Sequence, residues 1–172
     1  MPTSLFKYRR RRYETFGQFY SELAFLLKNR RLLKQAMLPN NISGKFRQRL
    51  MLAVTSVNRC RYCAAYHSRV SLSAGLSKEE ITELLDGSVQ DCPTEELPAL
   101  LYARNWAEQN GQVDRAAFAE LAAIYGLEKA EWIELSLKTI RMGNLSGNTF
   151  DYLLCKLSGG RFGCPELRQN PA

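Results

Sequence analysis

The segment Asn58-Arg-Cys60-Arg-Tyr-Cys63-Ala-Ala-Tyr-His67 places two thiols and the chain's single histidine within ten residues. On a helix, at about 100° per residue, Cys63 and His67 stand one turn apart, and Cys60 and His67 differ by only about 20° around the axis. Two cysteines three residues apart are within disulfide reach if the helix begins near Cys60. A thiol at a helix N-terminus faces unpaired backbone N–H groups and the positive end of the dipole, which favour thiolate, the nucleophilic form. Arg59 and Arg61 add positive charge on either side of Cys60. Histidine is the side chain suited to proton transfer near neutral pH. Together these features point to redox chemistry at a thiol pair. A structural zinc site would call for four ligands, and the chain has neither a second CxxC nor a second histidine. No metal and no cofactor is therefore expected. Tyr62 and Tyr66 bring hydroxyls near the thiols, with helix packing as their expected role.

The elements that position these residues read as helices. Apolar residues recur at helical spacing from Glu14 onward, and no segment alternates apolar and polar as a strand would. A first helix is expected over about Glu14 to Ala36, with Phe16, Phe19, Tyr20, Leu23, Leu26 and Leu27 on one side, until Pro39, Asn40 and Asn41 break it. Ser43 can cap a second helix carrying Leu50, Leu52, Val54 and Val57. A bend at Asn58 leads into a third, from Cys60 to Gly75. Ser77 and Glu80 form a capping-box pattern for a short helix to about Leu85. Thr94 or Glu96 starts the next, with Pro98 in its first turn and an end near Gly111. Asp114 caps a segment that stops at Gly126. Glu128 to Met142 and Asn144 to Leu157 are expected as the last two helices. The reading is a single all-α domain of seven to eight helices. Residues 1–40 form a basic extension with one amphipathic helix, 41–157 the core and 158–172 an irregular tail.

With 172 residues, 45% of them hydrophobic and 24% charged, the chain is globular in composition. No apolar run approaches the length of a membrane span; the longest, Leu23 to Leu38, is interrupted by Lys28, Arg30, Arg31 and Lys34. The net charge of +7 is uneven. Residues 1–70 hold fifteen basic and two acidic residues, a net +13, and residues 71–172 hold nine and fifteen, a net −6. The run Arg9 to Arg12 could neutralise phosphates, but a solvated arm is the expected state of such a run, and nucleic-acid binding is not expected. The basic, apolar and small-residue order of a secretory leader is absent. A soluble protein in a reducing cytoplasm is the expectation, and five cysteines, an odd number, cannot form a complete set of intramolecular disulfides. Cys155 lies in the apolar pattern Phe150, Leu153, Leu154, Leu157 and reads as buried filler. Cys92 and Cys164 each precede a proline in loop-like sequence and carry no assigned function.

The stretch Cys60-Arg-Tyr-Cys63-Ala-Ala-Tyr-His67, preceded by the apolar Leu50–Val54 and by Asn58, resembles the AhpD-like and carboxymuconolactone decarboxylase superfamily. The resemblance runs over about residues 40–155 and includes the helix after Gly75 and the closing Asn144–Asn148 helix. The redox-active branch carries Glu, eleven residues, CxxC, three residues and His. The resemblance implies an all-helical bundle, homo-oligomers (commonly trimers or hexamers) and reduction of a peroxide substrate by cysteine thiols. It implies that Cys63 attacks peroxide, that Cys60 resolves the sulfenic acid as a disulfide, and that His67 serves a proton relay. It also implies a dithiol reductant, such as a lipoyl group on a partner. By charge alone Cys60 has its own claim to be the attacking thiol. One position departs from the pattern: twelve residues before Cys60 stands Gln48 in place of the relay Glu, and an amide cannot accept a proton at physiological pH. No acidic residue lies between Glu22 and Glu79, so a substitute carboxylate must come from elsewhere in the fold. Two other readings follow: a redox-sensing or scaffold protein with a degenerate site, and a lactone decarboxylase, whose chemistry would not need the thiol pair.

Overall fold

Eight helices follow one another among the described residues: α1 (Phe16–Lys28), α2 (Arg30–Met37), α3 (Gly44–Asn58), α4 (Arg61–Ala74), α5 (Lys78–Asp86), α6 (Leu97–Glu108), α7 (Arg115–Tyr125) and α8 (Leu127–Leu157). The computed structural model describes Tyr8, residues 10–112 and residues 114–164, and no strand occurs among them. Among the described residues, no helix is long and apolar enough to cross a membrane.

The central element is α3. Ser43 caps it, its Oγ accepting from the Phe46 N–H at 3.2 Å, and ten of its fifteen residues are buried. A helix buried on nearly all sides needs neighbours all around it, and α4, α5, α6 and α8 supply them. Leu50 and Val54 share one core with Leu100, Ala103 and Trp106 of α6 and with Ile133 and Leu137 of α8. Each such fully buried leucine contributes about 2 kcal/mol. The charged Arg49 is tolerated inside this helix because Glu80 and Glu96 pair with it, at 2.6 and 2.9 Å.

The bend expected at Asn58 falls one residue later. Arg59 adopts a left-handed conformation (φ 55°, ψ 39°) that ends α3. Such a backbone costs a non-glycine residue about 1 kcal/mol, and it turns the chain so that Cys60 becomes the N-cap of α4. Further on, Ser77 caps α5 through the Glu80 N–H, and Asp114 caps α7 through two N–H groups.

Four expectations are corrected. The first helix is two, because Asn29 caps α1: both its backbone N–H and its side-chain amide donate to the Phe25 carbonyl, and α2 restarts after it. Of the residues expected on one apolar side of that segment, Leu26 is buried, whereas Phe16, Tyr20 and Leu27 are exposed. Secondly, the last two helices are one. α8 runs 31 residues straight through Gly143, since its buried face, from Ile133 and Leu137 to Asn144 and Asn148, continues on both sides of that glycine. Thirdly, the basic arm is docked. Arg10 is 8% exposed and paired with Asp151 at 2.9 Å, Arg11 donates to the Ala107 and Glu108 carbonyls, and Arg12 lies over the Tyr152 ring. Arg9 lies outside the described residues. Fourthly, Cys155 and Cys164 are joined by a disulfide, so Cys155 is more than filler and Cys164 has a role. Turns and bends make up residues 158–163, and the tail beyond 164 lies outside the described residues.

The two glycines within α8 mark where it meets α4. A Cβ at Gly147 would stand 2.7 Å from Cys60 Sγ and 3.2 Å from the Tyr62 ring, whereas one at Gly143 would meet Cys63 Sγ at an ordinary 3.8 Å. Gly147→Ala is therefore expected to destabilise the fold by about 1–3 kcal/mol through overpacking, and Gly143→Ala to stabilise it by up to about 1 kcal/mol through helix propensity. Denaturant midpoints of the two variants test this; equal shifts of the same sign would contradict it.

Candidate functional site

Cys60 has an extended backbone and caps α4 with its sulfur, which accepts from the Cys63 N–H at 3.4 Å. The two sulfurs share a hydrogen bond at 3.0 Å. Cys60 is fully buried and Cys63 partly so. The hydrogen bond from the Cys63 thiol, then the N–H groups of Cys63 and Tyr62 and the charge of Arg10, hold the Cys60 thiol down to about 7 against the opposing effect of burial. The Cys63 thiol is pushed up, first by its bond to Cys60 and then by burial. Cys60 is thus the more acidic thiol of the pair, and its thiolate faces the Cys63 S–H across 3.0 Å.

Arg59 and Arg61 were the cations expected to act on Cys60; the one that does so is Arg10, from the N-terminal arm. Arg61 turns instead to Asp151 at 2.7 Å and to the Tyr62 hydroxyl at 2.8 Å. Tyr62 donates to the same carboxylate at 2.7 Å and packs near Phe150. Asp151, fully buried, therefore ties the first turn of α4 to the arm. It stands one helical turn from Gly147, the residue that faces Cys60, and it is engaged by two guanidinium groups.

His67 and Gln48 meet. His67 Nδ1 lies 2.8 Å from Gln48 Oε1. With the amide oxygen as acceptor, the imidazole carries its proton on Nδ1 and leaves Nε2 as a free base. Burial lowers the His67 pKa to about 4, and no carboxylate at position 48 opposes that shift. Tyr66 sets its ring edge-on to His67 with centroids 5.0 Å apart and is otherwise exposed.

Behind the thiols lies a ladder of buried amides that sequence reasoning did not single out. Asn144 accepts from Asn58 at 3.2 Å and donates to Thr55 at 3.2 Å, and its amide eases the rise of the Cys63 thiol. Asn148 donates to the Asn58 and Arg11 carbonyls at 2.7 and 2.8 Å. Asn144, Asn148 and Asp151 are all fully buried. The signal available was three polar residues at spacings of four and three on one face of an apolar helix. Cys92 packs against the core, and burial pushes its thiol up to about 11. Among the described residues, no group of three or more His, Cys, Asp and Glu side chains could hold a metal ion.

Residues 24–109, half of the chain, match the profile of the carboxymuconolactone decarboxylase family. The match begins inside α1 and ends just past α6, so it takes in Gln48, both motif thiols and His67. No curated protein and no solved structure matches the chain.

Two titrations follow from this geometry. Ultraviolet absorbance of the reduced protein should show one thiolate forming near pH 7, lost in Cys60→Ser, with no second one below pH 10 or so. The other concerns His67. The unfolded chain takes up the imidazole proton near 6.5 and the folded one only near 4. The unfolded state binds more protons between those values, so stability falls as pH drops from about 6.5 to 4. His67→Asn should flatten that fall in denaturant midpoints; an unchanged slope would remove His67 from the account.

Proposed function

The chain belongs to the carboxymuconolactone decarboxylase family, and on that premise we propose that it reduces peroxides with the Cys60–Cys63 pair and regains its thiols from a dithiol reductant. The observation that carries this reading is the contact of the two sulfurs, at 3.0 Å, on the N-cap of α4. Cys63, the more accessible thiol, attacks the terminal peroxide oxygen. The Cys60 thiolate, 3.0 Å away, takes its proton as the S–O bond forms; because Cys60 is the stronger acid of the two, the transfer is uphill and is driven by the attack. The O–O bond breaks, Cys63 becomes sulfenic acid, and the leaving alkoxide takes the proton held on Cys60. The Cys60 thiolate then attacks the sulfenic sulfur and expels hydroxide, which is protonated to water. Two thiols and a peroxide become a disulfide, an alcohol and water.

In this scheme Cys60 does part of what a carboxylate at position 48 would do. Gln48 orients His67 through Nδ1, and Nε2 accepts a proton only weakly, because burial disfavours the imidazolium. A carboxylate there would hold the imidazolium and strengthen the relay. General-base catalysis is typically worth about 10²–10⁴-fold, so the native site is a slow peroxidase. The reductant is a dithiol, of the lipoyl type where a partner carries it. The exposed Phe16, Tyr20, Leu127 and Leu157 support a homo-oligomer, trimeric or hexameric, that covers them.

A redox sensor is the second reading, and the amide at position 48 favours it, since slow turnover suits a site that records peroxide rather than clears it. Lactone decarboxylation has no use for two thiols in contact.

Peroxide turnover with dithiothreitol should be measurable in the wild type, lost in Cys63→Ser and raised about 10- to 100-fold in Gln48→Glu, with the His67 pKa raised in the same variant by NMR. Activity that survives Cys63→Ser would refute the assignment. A wild type that forms the disulfide without turning over would favour the sensor.

A further inference from the structure

Residues of α1, α6 and α8 line a cavity of about 160 Å³ that the thiol chemistry does not use. Leu26 and Trp106, both buried, form its apolar floor, and Phe25 stands exposed at its rim. Glu22, Lys138 and Arg141 supply its charged wall. We propose that this cavity binds a small organic monocarboxylate, with the apolar body against Phe25, Leu26 and Trp106 and the carboxylate held by Lys138 and Arg141. The site stands apart from the peroxidase reading, because no residue of the Cys60–His67 segment lines it.

Three observations support it. The first is size. An apolar cavity of about 150 Å³ holds a benzene molecule, so the body that fits here is one ring or a chain of about six carbons. The second is the balance of donors and acceptors. Trp106 is 3% exposed, and its indole N–H has no hydrogen-bond partner among the described residues. A buried N–H without an acceptor is costly, and a ligand oxygen relieves it. The Glu22 carboxylate is already engaged, one oxygen by Arg141 and the other by the Tyr13 hydroxyl at 2.5 Å. Lys138 donates to Glu134, and Arg141 to Glu22 and the Asn110 amide oxygen, which leaves N–H groups over on both cations. The lining is thus rich in donors and calls for a ligand that brings acceptors. The third is preorganisation. Asn110 holds the Arg141 guanidinium at 3.0 Å. Gly111, at φ 79°, lets the loop lie against it, where a Cβ would stand 2.7 Å from Nε. Lys138 rests over the Phe25 ring, 5.2 Å from its centroid. Cations fixed before the ligand arrives lose little freedom when it binds.

The charge sets the ligand class. Lys138 and Arg141 against Glu22 leave the lining with a surplus of one positive charge, which a monoanion matches. A carboxylate presents two oxygens in the plane that a guanidinium fork binds. Its apolar remainder is what separates it from acetate or chloride, since only a ligand with such a body covers Leu26 and Trp106.

The test uses the whole chain labelled with nitrogen-15 and follows the indole N–H signals by NMR. The chain has two tryptophans, and Trp132→Phe identifies the signal of Trp106. Benzoate and hexanoate should each shift that signal saturably, with Kd on the order of 0.1–1 mM. Acetate, which lacks the body, and benzyl alcohol, which lacks the charge, should bind at least about 10-fold more weakly. Lys138→Met keeps the apolar stem and should weaken benzoate about 10-fold. Ser21 lines the cavity and is exposed, so Ser21→Phe should fill the mouth and abolish binding at an unchanged denaturant midpoint. Absence of a saturable shift up to about 10 mM benzoate would overturn the site. Equal affinity for acetate would reduce it to general anion binding, and equal affinity for benzyl alcohol to an apolar cavity without carboxylate recognition; either overturns the proposal. So would benzoate affinity that survives both Lys138→Met and Ser21→Phe.

Discussion

The close approach of α8 to the first turn of α4 is the constraint on which the site depends. A helix can press its backbone against a sulfur only where it has no side chain, and Gly147 supplies that gap at Cys60. The cost is helix propensity, about 1 kcal/mol for each interior glycine, and the surrounding apolar contacts offset it. Because the approach is tight, the cap geometry of Cys60, its distance to Cys63 and the bond of Asn144 to Asn58 are set together. A register change in α8 would disturb all three.

The same approach buries a polar set. Asp151 has two guanidinium partners and a phenol, and Asn144 and Asn148 bond Asn58, Thr55 and the arm. Burying such groups is stabilising only when every member is bonded, and one lost partner leaves a costly orphan. An apolar replacement of the whole set could pack as well, but it would hold neither the arm nor the first turn of α4 in one arrangement. The geometry of the thiols thus follows from hydrogen bonds of fixed direction, where apolar contacts alone would permit sliding.

Much of this was legible in the sequence. Cysteine and histidine at spacings of three and four carry their meaning wherever a helix forms, and Gln48 was found through the spacing of the family pattern that the sequence resembles, its contact with His67 coming only from the fold. Caps such as Ser43, Ser77 and Asp114 act locally, so their residues suffice to place them. The misreadings share a physical cause. Gly143 signals a break only when neighbouring turns are unsupported, and here a buried face runs on both sides of it. The basic arm reads as solvated unless a buried carboxylate 141 residues away is known to receive Arg10. Cys155 and Cys164 each look unremarkable in their own windows, because their pairing depends on a tail folding back over α8. In each case what decides is the packing of α8, which no short window of sequence displays.

Arg10 shows that the boundary of a site need not follow the boundary of a motif. It lies fifty residues before Cys60, in a stretch that biochemists readily trim or replace with an affinity tag. Yet it stands between Asp151, Asn148 and the Gly163 carbonyl, and it lends its charge to the Cys60 sulfur. Trimming the first ten residues is thus a change to the thiol environment made from the far end of the chain. A recombinant form that keeps every motif residue can still be a different reagent from the native one.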